Sequence, residues 1–196
     1  MNTNIIELET LKQLDIMNKE NKARPSLMLP KHFDGNLVVT NGHVAIKVAD
    51  EKYIEDGRTD YPTNAVNLFT DDPIEWIVLI QGDMKSLKEI AATFKRLKET
   101  TIVITFEKDN FIIEGYSNKI KIILPYQQVT LSSDIIGKNI IINPKYIEQI
   151  LAYYIKLKTN NVRLEWYGDK APIQITSGNV KYLLCQIRTQ RYKENK

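Results

Sequence analysis

The chain has 196 residues, 43% of them hydrophobic and 26% charged, with eight glycines, seven prolines and one cysteine. That composition allows one ordinary domain or two small ones with a real core, and it excludes global disorder, an intrachain disulfide framework and a cysteine-based zinc site. Lysine and arginine number 27 against 24 aspartates and glutamates; a net charge of +3 permits contact with a polyanion without arguing for it.

Along the chain, Glu7–Glu20 reads as a helix with Leu8, Leu11 and Met17 among its apolar positions, and Arg24-Pro25 ends that pattern. Leu27–Leu29, Leu37–Thr40 and Val44–Val48 read as strands, with turns at Asp34-Gly35 and Asn41-Gly42. His32, just before that first turn, reads as an exposed turn residue. The stretch 50–73 is polar and punctuated by Gly57, Pro62 and Pro73, which marks a linker.

Beyond it, the apolar run Trp76–Ile80 precedes a helix over 83–98, with Met84, Leu87, Ala91, Phe94 and Leu97 at helical spacing. Strands follow at Thr101–Phe106, Phe111–Tyr116 and Lys119–Leu124. The order then starts again: the run Asn139–Ile142, a helix over 144–158 carrying Ile147, Ile150, Leu151, Tyr154 and Leu157, and strands at Val162–Tyr167, Pro172–Thr176 and Lys181–Arg188.

A shift of sixty positions lays residues 83–115 on 143–175 without a gap. Lys85 falls on Lys145, Ile90 on Ile150, Phe94 on Tyr154, Lys98 on Lys158, Phe106 on Trp166 and Ile113 on Ile173. The unit is therefore strand, helix and three strands, used twice. One unit cannot bury both its helix and its sheet. Two related by a pseudo-twofold can, with helices packed on one face and antiparallel sheets on the other. The class is α+β. The expected divisions are a truncated half-domain at 1–59, a linker at 60–72, a complete domain at 73–190 and a basic tail at 191–196 with Arg191, Lys193 and Lys196.

Catalytic constellations are missing from the sequence. There is no glycine-rich phosphate loop and no nucleophile elbow, and His32 and His43 form no metal pair. Asp71-Asp72 before Pro73 reads as turn chemistry, and Cys185 in an apolar run reads as a small buried hydrophobe. The expectation is a non-enzyme without metal or cofactor. No apolar run approaches the ~20 residues of a membrane helix and the N-terminus has no signal-peptide pattern, so a soluble cytoplasmic protein is expected.

Several segments, in order, resemble the bacterial DNA sliding clamp of the β-subunit type. Val39-Thr40-Asn41-Gly42-His43-Val44-Ala45 is similar to the family's Ala-Thr-Asp-Gly-His-Arg-Leu. Asp60-Tyr61-Pro62, Asn67-Leu68 and Asp72-Pro73 resemble the start of its last domain, and Asn143-Pro144-Lys145-Tyr146-Ile147 resembles the Asn-x-x-Tyr-Leu that opens its second helix. Asn161–Glu165 with Ala171-Pro172-Ile173, and the closing Tyr182–Arg188, resemble its Val-Arg-Leu, Ser-Pro-Val and Tyr-Val-Val-Met-Pro-Met-Arg strands. Only 17 residues separate His43 from Tyr61, where the family has a full half-domain, and its first domain has no counterpart here. A reduced clamp of the phage or mobile-element kind fits that pattern.

The resemblance implies a replication processivity factor that holds double-stranded DNA non-specifically through basic helix faces. Lys85, Lys88, Lys95 and Arg96 lie on an arc opposite Leu87, Ile90 and Phe94, and Lys145 and Lys156 extend it on the second helix. The same arc also reads as an ordinary solvated face. The family's peptide cleft, which takes a short linear motif of a polymerase or other replication protein, maps onto Thr40, Gly42, His43, Val44, Ala45, Pro62, Leu183, Leu184, Cys185 and Ile187. Encircling DNA would require a homo-oligomer. The alternative is a clamp-fold adaptor or decoy that binds replication proteins without enclosing DNA.

Overall fold

The computed structural model describes residues 3–62, 67–70, 72–169 and 171–188; the basic tail and Asp71 lie outside the described residues. Three helices lie among them: α1 (Thr3–Asn18), α2 (Gln81–Arg96) and α3 (Pro144–Lys156). The N-terminal strands are β1 (Lys31–Phe33), β2 (Asn36–Thr40) and β3 (Val44–Ala49). The first unit contributes β4 (Glu75–Ile80), β5 (Ile102–Phe106), β6 (Asn110–Gly115), β7 (Lys121–Pro125) and β8 (Val129–Leu131). The second contributes β9 (Asn139–Ile142), β10 (Asn161–Trp166), β11 (Ile173–Ser177) and β12 (Val180–Leu184).

The two units share their local architecture down to the helix ends. Lys98 and Lys158, sixty positions apart, both take left-handed φ, of 59° and 55°. The amides just beyond them, Glu99 and Thr159, bond to the carbonyls of Phe94 and Tyr154. These αL stops turn each chain back toward its sheet. The starts differ: Asn143 caps α3 through its side chain and Pro144 sits at the first turn, whereas α2 follows directly from the extended Ile80.

Strand pairing ties the units together. β4, which leads into α2, pairs antiparallel with β10 of the second unit, and β9, which leads into α3, pairs with β5 of the first. Each leading strand is thus exchanged, so neither sheet is complete without the other unit. After β12 the chain runs back beside β9, where the Ile187 amide donates to the Ile141 carbonyl at 2.7 Å.

The result is a four-stranded sheet, β7-β6-β5-β9, and an eight-stranded one, β1-β2-β3-β12-β11-β10-β4-β8. The N-terminal strands join the larger sheet through β3 and β12, paired from Val48–Val180 to Val44–Leu184. α2 and α3 pack antiparallel over the sheets, and α1 lies along the other side of α3. There the Thr10 and Tyr153 hydroxyls meet at 2.9 Å, and Gln149 donates to Gln13 at 2.8 Å. One apolar core joins Ile6, Leu14 and Met17 of α1 to Met84, Leu87 and Phe94 of α2 and Ile147, Leu151 and Tyr154 of α3.

Three local expectations change. Leu27–Leu29 is no strand: Pro25–Leu27 is a 3₁₀ turn, which the fixed φ of Pro25 favours, and the strand comes later at Lys31–Phe33. His32 lies on that strand, half-buried and stacked on Tyr53, rather than in the turn. The polar stretch after β3 is partly packed, since Tyr53 and Tyr61 are buried and Lys31 bonds Asp56 at 2.6 Å. Burial pushes the Asp56 carboxyl up, but Lys31 and the His32 and Arg58 amides outweigh it and hold the group well below the usual carboxylate range.

Candidate nucleic-acid face and peptide groove

The outer side of the helix layer carries the cations expected from the sequence, but most have acidic neighbours. Lys85 and Arg96 are exposed and have no carboxylate within 4.0 Å among the described residues; Arg96 donates to the Thr93 hydroxyl at 2.9 Å. Lys88 pairs with Glu89 at 2.8 Å, and Lys95 reaches across the helix pair to Glu148. On α3, Lys145 bonds Glu20, and Lys156 stands 3.8 Å from Glu9. Lys98 and Lys158 add exposed ammonium groups at the two helix stops. Exposed lysine and arginine side chains can donate to phosphate oxygens, a contact that by itself carries no sequence information.

Beside the turn that follows β2, a hollow of about 450 Å³ is lined by Arg24, Ser26, Leu27, Thr40, Gly42, Asp60, Pro62 and Leu68. A neighbouring hollow of about 170 Å³ is lined by Asn67, Leu68, Thr70, Tyr167, Ala171 and Pro172. Leu68, 47% exposed, belongs to both and forms the ridge between them. Two apolar hollows beside exposed backbone suit an extended peptide with two anchoring side chains.

The wall of the larger hollow is the turn Thr40–His43. The Asn41 side-chain oxygen accepts from the His43 and Val44 amides, both at 2.9 Å, and the Thr40 hydroxyl donates to the Val44 carbonyl at 2.7 Å. Gly42 has φ +85°, and a Cβ there would lie 2.5 Å from a guanidinium nitrogen of Arg24. Arg24 in turn donates to the Asn41 carbonyl at 2.6 Å. A side chain there would be strained at that φ and would have to displace the Arg24 guanidinium.

Behind the turn, Asn41 and the Tyr146 hydroxyl donate to Glu20 at 2.6 and 3.0 Å. Burial pushes the Glu20 carboxyl up, but Lys145, Tyr146 and Asn41 outweigh it and keep it ionised below its ordinary range. Burial and the Glu20 charge push the Tyr146 phenol up to about 12. Glu20 therefore joins the groove wall to Lys145 of the helix layer. The wall of the smaller hollow is fixed similarly, by Gln174 donating to the Thr70 carbonyl at 2.8 Å and to Glu165 at 2.6 Å.

Of the groove residues expected from the sequence, Thr40, Gly42 and Pro62 line the larger hollow. His43 is exposed beside it, with its ring stacked on Tyr146 at 5.5 Å. Val44, Ala45, Leu183 and Leu184 are buried at 2, 5, 3 and 0% exposure in the paired strands beneath. Cys185 and Ile187 are half-buried; the Cys185 sulfur is 3.8 Å from the Gly42 carbonyl, and burial pushes its thiol up, away from nucleophilic chemistry. Arg24, Ser26 and Leu27 were not anticipated as lining residues. Arg24-Pro25 signals only a helix stop in the sequence, and the 3₁₀ turn after it is what brings these side chains to the hollow.

No family model matches this sequence, and no curated protein matches it. Solved structures do. The DNA polymerase III β subunit of Streptococcus pyogenes is similar over 86% of this chain and 60% of its own, with a TM-score of 0.66 at 14% identity. That of Borrelia burgdorferi, solved with a natural product, matches 81% of this chain and 55% of its own, with a TM-score of 0.64 at 12% identity. The Helicobacter pylori β clamp bound to a DNA ligase peptide matches 80% of this chain and 41% of its own, with a TM-score of 0.52 at 19% identity. The chain has the sliding-clamp fold and spans 55–60% of the length of the first two β subunits.

Proposed function

We propose that the protein is a non-enzymatic, clamp-like DNA-holding factor. In this reading its helix layer meets duplex phosphates and its groove tethers a replication protein through a short linear motif. The observation that carries it is the presence of two chemically different surfaces on one fold: lysines and an arginine on α2 and α3, and two apolar hollows sharing Leu68 beside the turn Thr40–Gly42.

Self-association to enclose DNA has a ready strand edge. β7 occupies the repeat position of β12, whose outer edge carries β3; the outer edge of β7 is unpaired among the described residues, and its Ile123 is 60% exposed. The second reading, an adaptor that binds replication proteins without enclosing DNA, draws on a different observation. Four of the six helix cations already have a carboxylate within 4.0 Å.

A salt titration of duplex affinity separates the two. A clamp-like face loses affinity log-linearly with salt, with a slope of about −0.9 per phosphate contact and no dependence on base sequence. An adaptor shows no measurable duplex binding at low salt but still captures motif peptides. In either case Leu68→Lys, a cation on the ridge between the hollows, weakens peptide capture by about tenfold or more in a fluorescence-polarisation assay. Unchanged capture would move the peptide site elsewhere.

A further inference from the structure

Just beyond β12, two adjacent residues fasten one wall of each hollow. The Cys185 amide donates to the His43 carbonyl at 2.9 Å, and its sulfur lies 3.8 Å from the Gly42 carbonyl, at the turn that bounds the larger hollow. The next side chain, Gln186, reaches the smaller hollow instead. Its amide nitrogen donates to the Ala171 carbonyl at 2.7 Å and to the Gly168 carbonyl at 3.0 Å. The Gly168 carbonyl also accepts from the Ala171 amide at 3.2 Å. The segment that brings Tyr167, Ala171 and Pro172 to the smaller hollow is therefore closed on itself and pinned by one glutamine. On the opposite wall, Thr70 is held by Gln174 and by the Tyr167 hydroxyl.

We propose that Gln186 determines which peptides the groove accepts, by fixing the offset between the two hollows and hence the spacing of the anchors a peptide must present. This rests on the peptide-groove reading above. The backbone from which Gln186 reaches is itself held on both sides, since the Cys185 and Ile187 amides are bonded to the His43 and Ile141 carbonyls. Two carbonyl acceptors demand a donor at this position. A glutamate of the same shape sets its carboxylate against both carbonyls, and a methionine of similar length leaves both without their side-chain donor. Either change loosens the wall of the smaller hollow and spares the larger one, because the bond from Cys185 is made by backbone. A pair of hollows held at one offset favours one anchor spacing; a pair with one loose wall accepts several, each less tightly, because binding must then order that wall.

Fluorescence polarisation on the full chain tests this, with labelled peptides in which the gap between two leucines grows one residue at a time. The wild type binds one gap about tenfold more tightly than its neighbours. Gln186→Glu and Gln186→Met each reduce that ratio to about twofold, with unchanged circular dichroism. A ratio that survives both substitutions overturns the proposal. So does a loss shared equally by every peptide, which would make Gln186 a support of the fold alone, or a wild type that binds all gaps alike. Those three outcomes leave the groove reading standing. A wild-type chain that captures none of the peptides removes the groove reading, and this inference with it.

Discussion

Tyr154→Ala is expected to destabilise the protein by about 3–5 kcal/mol, a large share of the stability of an ordinary domain. Tyr154 is fully buried where α3 meets the larger sheet, packed edge-on against Tyr153 and Tyr182 with ring centroids 5.5 and 5.9 Å away. Its hydroxyl donates to the carbonyl of Ile175 at 2.7 Å and reaches that of Val180 at 3.3 Å, so it bonds β11 and the start of β12 to the helix. Truncation opens a cavity and takes the donor from those carbonyls.

Because β4 and β9 are exchanged between the units, loosening the second unit also strips strands from the first, and unfolding should stay a single transition. For a chain of this size the loss corresponds to a fall in Tm of about 10–15 °C by calorimetry. Tyr154→Phe separates the contributions: it keeps the ring, gives up the hydroxyl and costs about 1–2 kcal/mol. Equal losses for the two variants would mean that packing at this position contributes little.

Neutralising Lys85, Lys88 and Arg96 together to glutamine is expected to remove most duplex affinity. Each phosphate contact supplies about eightfold at 0.1 M salt through released counterions, so three supply on the order of 500-fold. Among the described residues Lys85 and Arg96 have no carboxylate within 4.0 Å, and Lys88 has only the local Glu89, so the fold survives the change. The slope of affinity against salt should fall by about three.

The opposite effect is expected from Glu148→Gln. Lys95 is held by Glu148 across the helix pair, an exposed ion pair that contributes less than about 1 kcal/mol to stability. Release of that ammonium adds a phosphate contact and tightens duplex binding by about eightfold. A looser complex would show that Glu148 positions Lys95 rather than competing for it.

What the sequence carried and what it did not follow from the range of the interactions. The sixty-residue repeat was legible because its buried positions recur at local spacing, down to Lys98 and Lys158 at the two helix stops. The exchange of β4 and β9 was not, because strand pairing across units leaves no local pattern in the residues that take part. The stretch after β3 read as a linker since its side chains are polar; the bond from Lys31 to Asp56 that anchors it joins residues 25 positions apart.

The candidate sites divide in the same way. The helix cations were visible from periodicity, whereas their partners Glu9, Glu20 and Glu148 reach them across helices. In the groove, Thr40, Gly42 and Pro62 were legible by resemblance. Val44 and Leu184, whose side chains belong to the core, were named with them because a motif does not tell which face of a strand a residue occupies.

Retention on DNA of defined topology is the most direct measurement of the whole reading. On nicked circular DNA the assembled protein should stay bound through a salt wash that removes it from the same molecule after a single linearising cut, because an enclosed duplex releases its holder only at an end. Equal loss from circle and line would contradict that account.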